Sequence, residues 1–167
     1  MINIDYIHNM ARYNGWQNQS LFDAAETLDE ADRNLDRGAF FRSIRGTLSH
    51  LLWGDQIWMH RFSGSPPPAV SSIEASPDMA GDWNELKRQR TAMDQVISTW
   101  AQGLDPVWLE DDLTWFSGAA KRQVSKPAGF LVVHFFNHQT HHRGQVHAML
   151  TAAGAKPDET DLFFMDM

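Results

Sequence analysis

Apolar residues recur at three- and four-residue spacing through four long stretches of the chain, and that period predicts four helices. The first covers 3–28, where Ile4, Ile7, Ala11, Leu21, Phe22, Ala25 and Leu28 form one stripe. Asn14 and Asn18 interrupt it at positions where apolar residues belong. Either these amides meet polar partners inside, as buried amides must, or Gly15 loosens the turn and leaves them partly exposed. The second helix covers 40–63, with Phe40, Ile44, Leu48, Leu51, Trp58 and Phe62 in the stripe. Ser63-Gly64-Ser65-Pro66-Pro67-Pro68 ends it, because proline cannot continue a helix. A Ser- and Pro-rich loop then runs over 64–78. The third helix covers 79–102, with Trp83, Leu86, Met93, Ile97 and Trp100 repeating. Arg90 lies within that stripe, so it either snorkels to the surface or holds a substrate carboxylate.

The period changes over 107–126. Asp112-Leu113-Thr114-Trp115-Phe116 and Lys121-Arg122-Gln123-Val124-Ser125 flank Ser117-Gly118-Ala119-Ala120, which predicts a short β-hairpin. Lys126-Pro127 opens the fourth helix, with proline in the first turn where it is tolerated. That helix runs to about Ala153, and Gly154 suits the position just past its end. The tail, Asp161-Leu162-Phe163-Phe164-Met165, is too apolar to hang free and is expected to pack back on the helices. With no strong internal repeat and no linker, residues 1–167 read as a single all-α domain. It is a four-helix bundle with a short β-hairpin between helices three and four. The loops between helices permit antiparallel neighbours or a crossover.

Composition narrows the class. The 167 residues are 43% hydrophobic and 21% charged, ordinary for a soluble globular protein. The net charge of −7, with no local cluster of Lys and Arg, argues against nucleic-acid binding. Cysteine is absent, which excludes disulfides, zinc–thiolate sites and a Cys nucleophile. No basic segment followed by an apolar run stands at the N-terminus, and no apolar stretch is long enough to span a membrane. A cytoplasmic protein is expected. Seven tryptophans exceed the needs of a core this size, so some are expected to line a pocket or an interface.

The candidate chemistry sits on the fourth helix. Of eight histidines, four lie at 134, 138, 141 and 142. On a helical wheel at ~100° per residue, Leu131, Phe135, Val146 and Met149 define the apolar face. His138 and His142 fall inside that face, His134 and His141 at its edge, and His147 away from it. Two inward imidazoles four residues apart either find separate hydrogen-bond partners in the core or share one metal ion. A third ligand should come from another helix. His50 is the best candidate, because Gly46 and Gly54 on its side of the second helix would let a neighbour approach closely. His60 reads as surface, His8 lies on a weakly determined helix start, and Asp55 is a competing oxygen ligand that faces elsewhere. Three imidazoles without thiolate suit Zn²⁺, Ni²⁺ or Fe²⁺. Neither a His-Glu-x-x-His motif nor paired Glu-x-x-His motifs are present, so the site would be mononuclear.

Asn137-His138-Gln139-Thr140-His141-His142-Arg143-Gly144-Gln145 resembles the hallmark of the DinB/YfiT-like proteins, Asn-His, three residues, then His-Arg-Gly-Gln. The segment around His50, with Trp58 eight residues on, is similar to the family's first metal histidine. Tyr13-Asn14 through Asn18 resembles its opening helix, and Asp161-Leu162 after a Gly-x-x-Pro turn its C-terminal segment. The resemblance implies a divalent metal held by His50, His138 and His142, with His141 not a ligand. Arg143 and Gln145 match the motif. Arg143 reads as a structural residue pointing off the apolar face, and Gln145 as a buttress of the site. The family name derives from DNA-damage inducibility, not DNA binding.

Related members include thiol-dependent S-transferases and a thiol-dependent maleylpyruvate isomerase. The resemblance therefore implies a metal-dependent enzyme that activates a low-molecular-weight thiol, or water in a hydrolase, for attack on a small-molecule substrate. No carboxylate or serine lies one turn from the ligands to serve as general base. The alternatives are a non-catalytic, stress-related metal or small-molecule binding protein, and an interaction module whose histidines are merely core. By analogy with the family, a homodimer is expected.

Overall fold

The computed structural model describes residues 2–118 and 120–165. The described residues are mostly helical, with one two-stranded antiparallel sheet. The helices are α1 (Ile4–Glu26), α2 (Glu30–Asn34), α3 (Ile44–Ser63), α4 (Trp83–Gln102) and α5 (Ala128–Ala152). The hairpin, β1 (Asp112–Ser117) and β2 (Arg122–Pro127), lies between α4 and α5, where the sequence places it. Ala119, in its predicted turn, lies outside the described residues.

Four of these helices are long and pack on one another. α1 lies against α4 and α5, and α3 lies against the same two. Their starts follow from local chemistry. The side chains of Asn3, Ser43 and Asp82 accept hydrogen bonds from the backbone N–H groups of Tyr6, Gly46 and Glu85, which the first turn leaves without partners. The end of α5 is a Schellman arrangement. Gly154, at φ 84°, donates to the Thr151 carbonyl and Ala155 to the Leu150 carbonyl.

Several expectations are corrected. α3 begins at Ile44, not 40, because the preceding residues turn back on themselves. Arg42 adopts φ 65° and its N–H bonds to the Ala39 carbonyl, a geometry no helix can include. Phe40, expected in the stripe, is 79% exposed, and Phe41 is the buried residue instead. α4 begins at Trp83 after a 3₁₀ turn at Ser76–Asp78 and a positive-φ Gly81. The connection after α1 contains the short helix α2, capped by Asp29. The apolar tail does not pack away. Residues 155–160 dock on α1, where Tyr13, Gln17 and Ser20 bond the backbone of Thr160, Glu159 and Asp158. Beyond them Phe163 is 77% exposed, and Leu162 and Phe164 are exposed as well.

A buried polar chain links all four long helices. The Arg90 guanidinium donates to Asp55 Oδ2 at 2.6 Å and pairs with Asp94 Oδ1 at 2.8 Å. Asn14 and Asn18 both donate to Asp94, Gln139 donates to Asp55 Oδ1 at 3.0 Å, and Arg143 donates to Asn14 Oδ1. The two amides in the first stripe therefore face polar partners inside. Arg90 neither snorkels nor waits for a substrate, since two carboxylates of the protein already hold it. Arg143 is buried rather than directed off the apolar face. A single stripe on the wheel misplaces it because α5 packs on two sides, against α3 and α1. Two carboxylates and two guanidinium groups balance within the chain, so burial of four charges leaves no net charge in the core.

Candidate metal centre

The seam between α3 and α5 brings His50, His138 and His142 together. One ligand atom from each lies within 4.8 Å of the others, a spacing at which the three could hold one metal ion. His138 and His142 share a face of α5, with ring centroids 4.5 Å apart. His50 faces both across the seam, at 5.6 Å and 4.8 Å. The close approach depends on Gly54. A Cβ at that position would stand 2.7 Å from Cε1 of His138, so any side chain there would displace the ring. Gly46 serves a different neighbour. Its missing Cβ makes room for the Phe41 carbonyl, not for a helix.

Hydrogen bonds define which nitrogen of each ring is free. Ser76 donates its hydroxyl proton to the Ile73 carbonyl at 2.6 Å, so its oxygen accepts from Nδ1 of His50 at 2.8 Å. Gln145 Oε1 accepts from Nδ1 of His142 at 2.8 Å. Both rings then carry the proton on Nδ1 and present a bare lone pair at Nε2. Such partners on the far nitrogen are what orient histidine ligands. His138 buries Nδ1 with no partner among the described residues. An unsatisfied buried imidazole nitrogen is costly in a folded protein, and a metal ion is one way to satisfy the ring.

Electrostatics favour the ligand-ready neutral form. Burial pushes His50 down to about 3, helped by the neighbouring His142 and His138. Burial, with the other three clustered imidazoles, holds His138 at about 3 as well. His142 is also lowered, chiefly by burial. Three neutral nitrogen donors, two of them held by outer partners and one unsatisfied, fit a borderline transition metal.

Around the triad stand rings that the histidine motif does not announce. Phe41 stacks on His50 at 3.7 Å and Trp53 flanks it at 5.4 Å. Trp53 also donates to the Val70 carbonyl, which ties the Pro-rich loop back to α3, and Ser49 Oγ donates to the Ser76 carbonyl at 2.7 Å, which holds Ser76 beside His50. Ser76 was not legible as a site residue, since its sequence signal is only a Ser-Pro pair in a loop. Gln145 stands where the buttress was expected. His134 and His141 are exposed at the rim, and His60 is exposed with Nδ1 near the Ser65 carbonyl. His8 meets the Ala101 carbonyl between α1 and α4, away from the triad. Asp55 does face elsewhere, with both oxygens engaged.

Two grooves open on the surface. One of about 490 Å³ is lined by Phe41, the residue stacked on His50. Another, of about 540 Å³, is lined by Phe62, Trp100 and Trp108 and has no histidine in its wall. Part of the tryptophan excess is thus spent on a groove.

Comparison with known proteins agrees with the motif. Protein DinB of Bacillus subtilis (strain 168) is 27% identical over 164 residues, covering 94% of this chain and 91% of that protein. The sequence pattern of the DinB family matches residues 1–167. The chain belongs to the DinB family.

Proposed function

We propose that His50, His138 and His142 hold a divalent transition metal, Zn²⁺ or Ni²⁺ before Fe²⁺. The site activates a thiol or a water in an S-transferase-like or hydrolase-like reaction on a small molecule. In this reading the fold is a four-helix bundle of the DinB type, one domain, acting as a homodimer in the cytoplasm. The observation that carries the reading is the arrangement of Ser76 and Gln145. Each holds the proton of one ring on Nδ1, so two Nε2 lone pairs are left for an ion beside the unsatisfied His138.

Held by three neutral imidazoles, such an ion keeps its full charge, and what it supplies when bound is Lewis acidity enough to deprotonate a thiol or water near neutral pH. The protein's own residues then position and shield. Phe41 and Trp53 cover His50, and Gly54 lets His138 reach the seam. Asp55 is not a general base, because Arg90 and Gln139 occupy its two oxygens.

Elemental analysis of protein purified without a His-tag tests the site. Stoichiometric metal is expected, with loss in His50→Ala, His138→Ala and His142→Ala. Unchanged metal content in all three variants would rule the site out. Turnover across a panel of thiol-transfer and hydrolysis substrates tests the activity. Bound metal with no turnover would instead favour a non-catalytic, stress-related binding protein.

A further inference from the structure

About three turns along α3 from His50, one cation has no carboxylate partner among the described residues. Arg61, on the last turn of α3, is half-buried, and among the described residues no carboxylate pairs with it and no hydrogen bond from it is recorded. Its guanidinium carbon lies 4.6 Å from the Trp58 ring centroid and 5.3 Å from that of Trp115 on the hairpin. Stacking of this kind uses the faces of the guanidinium and leaves its in-plane N–H donors free. It also holds the fork in place, so little entropy would be lost when an anion docks.

Arg61 is connected to the triad by ring contacts. His134 stands 6.1 Å from His138 and 5.1 Å from Trp58, on the turn of α5 preceding the triad. Trp58 in turn packs edge-on to Trp115 at 5.7 Å. The result is an aromatic track along the α3–α5 seam, with three histidines at one end and an unpaired guanidinium at the other. Arg33 and Arg143 also lack a carboxylate ion pair among the described residues, but their N–H groups are taken by carbonyl, amide or hydroxyl oxygens, whereas those of Arg61 are not. The buried core shows the contrast, since Arg90 there is matched by Asp55 and Asp94.

We propose that Arg61 is a specificity-determining residue. It binds a carboxylate on the small molecule whose reacting atom sits at the triad, while the molecule's apolar middle crosses the exposed ring of His134, which the buried Trp58 backs. This rests on the metal-site reading for the position of the reacting atom. The competing explanation is that the Trp58–Arg61–Trp115 stack merely clamps the hairpin to α3.

The test uses cobalt(II)-loaded protein and a series of ω-mercaptocarboxylates of increasing chain length, each with its matched ω-mercaptoalcohol. Binding is read from the cobalt absorption bands. At the best length the acid should bind about tenfold or more tighter than the alcohol, the scale of one charge-assisted bidentate contact. Arg61→Met should bring the acid to the alcohol's affinity and leave metal content and alcohol affinity unchanged. Arg61→Lys keeps the charge but loses the fork, and should fall between the two. Equal affinities in the wild type, or an acid preference that survives both substitutions, would overturn the proposal. A purely structural clamp predicts lowered thermal stability with the acid preference intact. If cobalt does not bind, the metal-site reading has failed separately, and if cobalt binds but neither thiol changes its bands, thiol activation has failed while the metal site stands. Titrations of tryptophan fluorescence with octanoate and octanamide then decide the anion site. Quenching specific to octanoate and lost in Arg61→Met supports it, and no difference between the two ligands overturns it.

Discussion

Ser76 Oγ stands 2.8 Å from Nδ1 of His50, and because its own proton goes to the Ile73 carbonyl it can only accept from that ring. A loop serine thereby sets the tautomer of a histidine on α3. Ser76→Ala removes the acceptor, leaving a buried N–H unsatisfied and the ring free to change tautomer. Metal affinity should fall by about 10–100-fold, the usual cost of losing such a partner. Competition with a chromophoric chelator measures it, and an unchanged helical circular-dichroism signal would show that the fold is retained.

Gly54→Ala should act on the same site from the other side. The added Cβ meets only the far end of the His138 side chain, so the ring can swing away and the helices need not separate. The expected outcome is a folded protein with weakened metal binding. A loss of folding stability larger than about 1–3 kcal/mol, the range for ordinary overpacking, would mean that the backbone moves instead.

The metal-free protein should lose stability in mild acid. His50 and His138 are held at about 3 when folded, against an ordinary value of 6.5. Between these values the unfolded chain binds more protons than the folded one. Stability is therefore fully present above about pH 6.5 and declines as pH falls toward 3. Denaturant midpoints across that range should show the decline. The double variant His50→Ala/His138→Ala should show a flatter profile.

Arg90→Met would leave Asp55 and Asp94 buried without their cation. Breaking a buried pair from one side typically costs about 3–5 kcal/mol. Chemical denaturation should show a loss on that scale. The paired change Asp55→Asn with Arg90→Met should recover part of it. No loss in the single variant would mean that water reaches the carboxylates.

Much of the helical plan was legible because burial of one face writes a period into the sequence. Ile7, Ala11, Leu86, Ile97, Leu131, Phe135 and Val146 all lie in the core, where their spacing predicts. The hairpin at 112–127 and the terminating role of Gly154 were legible for local reasons, a change of period and a positive-φ requirement. His138 and His142 were marked as an inward pair by the same wheel that failed for Arg143. That wheel assumes one buried face, and α5 has two.

The rest could be decided only by tertiary structure. A histidine's far nitrogen is satisfied by whatever the fold brings to it, and Ser76 reaches His50 from 26 positions away in the chain. Whether Arg90 met water, a substrate or carboxylates depended on which helix faced it, and the answer was Asp55 on α3 and Asp94 one turn along. The chain by itself determined the helical faces, the histidine pair that points inward and its family. Only the packing of α3 on α5 decided that His50 completes the triad. Tertiary contacts likewise decided that Arg61 meets two tryptophan rings and no carboxylate among the described residues, and that Phe163 is exposed. Such outcomes depend on contacts between distant segments, and no local period encodes them.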